Sequence, residues 1–122
     1  MCDGIQLTLS GADLLILLHA LLEVRAIPPT TRVASVANNG ARLKELDELL
    51  WTRLVELRRS CPGPETELTV GVRLTREDCR LLCDAVENAV LALGSEYTTR
   101  MGSTVREAQI TLERLRTGLV GR

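Results

Sequence analysis

The chain has 122 residues, enough for one domain that buries roughly two-thirds of the surface its unfolded form exposes. Hydrophobic residues at 45% and charged residues at 25% give a globular composition and exclude an extended, disordered chain. Fifteen basic against sixteen acidic residues leave a net charge of −1, which excludes a general polyanion binder, and no apolar run reaches the ~18 residues of a membrane span.

The first element is an alternating segment, Ile5-Gln6-Leu7-Thr8-Leu9, with the period of a half-buried strand. Ser10 with Asp13 three residues on reads as a capping box, opening a helix that runs to about Arg25. Pro28-Pro29 forbids its continuation. Residues 30–40 read as irregular, with an extended piece at 32–36. A second helix over residues 41–59 carries Leu43, Leu46, Leu50, Leu54 and Leu57 on one stripe, and Cys61-Pro62-Gly63-Pro64 terminates it.

The same order then returns. Residues 68–74 alternate like a strand, Thr75 and Asp78 repeat the cap, and a helix follows to Leu93, with Gly94 as its stop signal. After a loop over 95–103, Thr104 and Glu107 open a last helix to about Gly118, striped by Val105, Ala108, Leu112, Leu115 and Leu119. Leu7-Thr8-Leu9-Ser10 aligns with Val72-Arg73-Leu74-Thr75, and Leu14, Leu17, Leu18 and Leu21 align with Cys79, Leu82, Cys83 and Val86. Thr30-Thr31-Arg32-Val33-Ala34-Ser35 resembles Thr98-Thr99-Arg100-Met101-Gly102-Ser103. The expected fold is therefore α+β and predominantly helical. It is a single domain of two tandem β-α-α units (about 4–60 and 67–119) with pseudo-two-fold symmetry, a small antiparallel ribbon packed on four helices.

The halves differ in one respect that bears on function. Leu15 and Leu22 widen the apolar arc of the first helix to about 160°, whereas Arg80 and Glu87 stand at the aligned positions. On the polar side of that helix the wheel leaves Asp13, His19 and Glu23, diluted by Ile16 and Ala20. Trp51 lies off the leucine stripe of the next helix. Spare apolar groups of this kind mark interfaces, and two-fold dimers are the commonest assemblies. Leu15, Leu22 and Trp51 are thus the candidate interface of a homodimer or of a contact with another protein.

The repeated loops give a second candidate. A guanidinium with hydroxyls beside it suits a carboxylate or phosphate, so Thr31, Arg32, Thr99 and Arg100 are candidate anion ligands. Catalysis has weaker grounds: His19, the only histidine, with Glu23 one turn on, has no nucleophile placed beside it by sequence. Cys79 and Cys83 align with core leucines and lack the spacing of a zinc set. The arginine clusters at 53–59 and 73–80 are interrupted by acids and have little aromatic surface to stack bases. No catalytic residue, metal, cofactor, nucleic acid or membrane is expected. Leucine supplies 23 residues and phenylalanine none, and arginine outnumbers lysine fourteen to one, a bias of GC-rich coding sequences. The start, Met1-Cys2-Asp3-Gly4, has no basic stretch ahead of an apolar one, so a cytoplasmic chain with reduced thiols is expected.

Overall fold

The computed structural model describes residues 4–60 and 69–120. The Cys61–Pro64 terminator, Leu68, Cys2 and Cys61 lie outside the described residues. The described residues are mostly helical, with one two-stranded antiparallel sheet. Strand β1 (Gly4–Ser10) leads directly into α1 (Gly11–Ala26), followed by a 3-10 turn at Pro29–Thr31, a short α2 (Ala34–Ala37) and α3 (Gly40–Ser60). Strand β2 (Thr69–Thr75) leads directly into α4 (Arg76–Leu93), followed by a 3-10 turn at Gly94–Glu96, a short α5 (Tyr97–Met101) and α6 (Val105–Val120).

The period-two alternation sets the ribbon. Ile5 pairs with Leu74, Leu7 with Val72 and Leu9 with Val70, so one face is aliphatic and packed inward. Gln6, Thr8, Gly71 and Arg73 occupy the outer face. Beneath the ribbon α6 packs against β1 and α3 against β2, while α1 and α4 pack on each other and on α3 and α6 respectively. All five stripe leucines of α3 are buried in the core.

All three predicted capping pairs form, Thr104 with Glu107 among them. The Ser10 and Thr75 hydroxyls accept the backbone N–H of Asp13 and Asp78, and each aspartate accepts its cap residue's N–H. Two expectations need correction. Of the extended piece expected at 32–36, Val33 has extended dihedrals as the N-cap of α2: Asn88 of α4 accepts its N–H at 2.9 Å, Ser35 donates to Asp84 at 2.7 Å, and the chain turns helical from Ala34. Asp13, placed by the wheel on the watery side of α1, is 3% exposed, and Ile16 and Ala20 are buried as well. The reason is α6, whose Thr111 and Arg114 cover that side and bond the Asp13 carboxylate. Apolar nearly all round, α1 has the composition of a core helix.

Gly118 lets α6 approach the ribbon. A Cβ there would overlap a terminal methyl of Leu7 and lie 3.3 Å from Cγ2 of Ile5. Gly118→Ala gains roughly 1 kcal/mol of helix propensity to set against that overlap. Gly118→Val gains less and crowds more, and is expected to lose about 1–3 kcal/mol in a urea titration. A valine variant as stable as the parent would mean that the helix has room to move away.

Candidate functional site

Leu22 and Trp51 are 56% and 51% exposed, among the largest apolar side chains left to solvent. They stand on α1 and α3, two helices packed against each other. Arg25 of α1 and Asp47 of α3 approach to 3.7 Å. Leu22 is one turn before Arg25 and Trp51 one turn after Asp47, so both flank this ion pair. Leu15 lies only about 20° from Leu22 on the helical wheel, yet it is half-buried and packs on the core.

The difference between the two leucines has a local cause. The segment from α5 into α6 runs beside the first turns of α1. Met101, Ser103 and Glu107 face Ala12, Leu15 and His19 across a depression of about 240 Å³. His19 Nδ1 is 2.9 Å from the Met101 carbonyl, and since a carbonyl only accepts, Nδ1 carries the proton. Glu23 pairs with Arg100 at 3.2 Å, so His19 and Glu23 are each turned to the 100–101 segment. Two hydroxyls on this segment are buried, that of Ser103 in the lining of the depression and that of Tyr97. They are near enough to act on each other, and burial, the larger effect, raises the Tyr97 pKa.

The four candidate anion ligands are not arranged as an open pair of loops. Thr31 ends a 3-10 turn, and its hydroxyl donates to the Pro28 carbonyl at 2.8 Å. The Arg32 guanidinium donates to the carbonyls of Arg25 and Ile27 at 2.9 and 3.1 Å, satisfying the end of α1. Thr99 and Arg100 lie within α5, with Arg100 on Glu23. Both guanidinium groups are therefore engaged within the chain.

The most elaborate polar groups are structural, and the sequence shows only their capping half. Asp13 accepts from Ser10 N–H at 3.0 Å, from the Thr111 hydroxyl at 2.6 Å and from Arg114. Burial works against its charge, but the bonds from Thr111, Ser10 and Arg114 outweigh that and hold its pKa below the usual value. Asp78 accepts from Arg42 at 2.8 and 2.5 Å. Those Arg42 bonds hold its pKa low against the opposing effect of burial, and Arg42 is raised in return. The S/T-x-x-D cap announced each aspartate, but nothing local announced the arginine that meets it.

Among the described residues no group of three or more His, Cys, Asp or Glu side chains is placed to hold a metal. Cys79 and Cys83 are buried, and burial pushes both thiols up to about 11, which leaves them protonated and unreactive at neutral pH. No described helix is long and apolar enough to cross a membrane. No protein-family model matches the chain, and no curated protein or solved structure is significantly similar to it.

Proposed function

We propose that this protein is a small, non-enzymatic interaction module of the cytoplasm that self-associates as a homodimer. The surface proposed for that contact is the one carrying Leu22 and Trp51, with Leu15 at its edge. The observation that carries the reading is the exposure of a leucine and a tryptophan on adjacent helices, 56% and 51%, beside the Arg25–Asp47 pair. A large aromatic and an aliphatic side chain beside charged groups are the usual makings of an interface centre and its rim.

The scaffold in this proposal is a duplication of one β-α-α unit, about 4–60 and 67–119, within a single domain. Three observations support it. Leu7 stands opposite Val72, the residue it aligns with in the sequence repeat. The caps Ser10–Asp13 and Thr75–Asp78 are built alike. Each cap aspartate is met by an arginine from the opposite half, Arg114 and Arg42.

Leu22→Glu together with Trp51→Glu is the test. Both side chains are exposed, so the double variant is expected to keep the parent's circular dichroism and lose less than about 1 kcal/mol of stability. Sedimentation should change from dimer to monomer. A double variant that still sediments as the parent does would refute this surface. Anion binding through Arg32 and Arg100 is the weaker reading, since both are engaged within the chain. A melting temperature raised by phosphate, and no longer raised in Arg32→Ala with Arg100→Ala, would favour it instead.

A further inference from the structure

We infer that two copies of this chain can exchange halves, residues 4–60 of one copy packing on residues 69–120 of the other. The contacts between the halves come in reciprocal versions. Strand β1 pairs with β2 along its whole length, from Gly4 opposite Thr75 to Ser10 opposite Thr69. Helix α6 of the second half lies on β1, and α3 of the first half lies on β2. Asp13 of the first half is held by Thr111 and Arg114 of the second, and Asp78 of the second by Arg42 of the first. The Thr31 carbonyl and Val33 N–H rest on Asn88 of α4, while Met101 and Arg100 rest on His19 and Glu23 of α1.

Each half therefore presents a surface that only another half completes. A lone β1 has no strand partner, and a lone Asp13 or Asp78 keeps its cap but loses the arginine that meets it. None of these contacts requires that the two halves belong to one chain. Residues 61–68 join them along the chain, and nine Cα steps from Ser60 to Thr69 span at most roughly 30 Å. When a chain opens, the contacts it loses are the ones a second open copy restores, in a closed two-fold assembly. The partner is a second copy of this chain. This route to association is independent of the Leu22–Trp51 surface, and a test can separate the two.

The test uses two full-length variants, each also carrying Leu22→Glu and Trp51→Glu to remove the other surface. Asp13→Arg sets two arginines against each other within one chain, and Arg114→Asp sets two aspartates together. If halves exchange between the two variants, one assembly regains the parental Asp13–Arg114 pair and the other brings the two introduced charges together. The variants are unfolded, mixed, refolded at high protein concentration and weighed by native mass spectrometry. The mixed dimer is expected at about tenfold or more over either self-dimer, and each variant refolded alone should give mainly monomer. Monomers only, or dimers in statistical proportion, would overturn the inference. Should these substitutions prevent folding, the less buried pair Glu23→Arg and Arg100→Glu, with side chains 13% and 51% exposed, is read the same way. There an excess of mixed dimer supports exchange, and its absence rejects it.

Discussion

Asp13→Ala is expected to lower the stability of the fold by about 2–4 kcal/mol, seen as a fall in melting temperature on the order of 10 °C. Two losses add. The capping box of α1 loses its reciprocal partner, worth about 1 kcal/mol. Thr111, fully buried, is left with a hydroxyl whose acceptor is gone, at about 1–3 kcal/mol. Arg114 contributes little to the sum, because its side chain is 48% exposed and water takes over its solvation. Arg116→Ala is the control. Arg116 pairs with Glu87 at the surface, with both side chains about half exposed, and its removal should change stability by less than about 0.5 kcal/mol. Urea titrations of the two variants decide the matter. Equal, small losses would mean that the Asp13 cluster does not hold α1 and α6 together.

Acid is expected to unfold the protein through the same carboxylates. Both Asp13 and Asp78 have folded pKa values below the ordinary one. A group so depressed contributes stability that is complete above its unfolded pKa, near 4, and lost as pH falls through the folded value. The melting temperature should therefore be nearly flat from neutral pH to about 5 and fall steeply below about 4. Asp13→Asn with Asp78→Asn should begin lower at neutral pH and fall much less on acidification, because the linked protons are gone. Scanning calorimetry at several pH values checks this. A double variant whose curve runs parallel to the parent's would place the acid sensitivity in other groups.

The periodic elements were legible because their causes are local. Two S/T-x-x-D caps, a leucine stripe and alternating strands are written within a turn or two of chain, and Leu43, Leu46, Leu50, Leu54 and Leu57 are all buried as their spacing requires. The departures all come from distant partners. Residues 34–37 form a helical turn where an extended piece is expected, and Asn88 and Asp84, more than forty residues away in sequence, hold Val33 and Ser35 at its start. Asp13 is buried because α6 arrives from the far end of the chain. A helical wheel cannot separate Leu15 from Leu22, yet the depression between Leu15 and the Met101–Glu107 segment does so, leaving only Leu22 well exposed. The repeated Thr-Thr-Arg segments read as loops because Ser and Thr favour turns. In the fold the first ends a 3-10 turn, and the second lies within a helix that Gly102 stops at φ 73°.

What the sequence offered toward function was the pair of spare apolar groups, and the geometry leaves those groups exposed beside an ion pair. Native mass spectrometry of the unmodified chain, run beside Leu22→Glu with Trp51→Glu, bears on that proposal most directly. The account predicts twice the 13.4 kDa chain mass for the parent and the single mass for the variant. A parent that flies as a bare 13.4 kDa monomer at every concentration would contradict it.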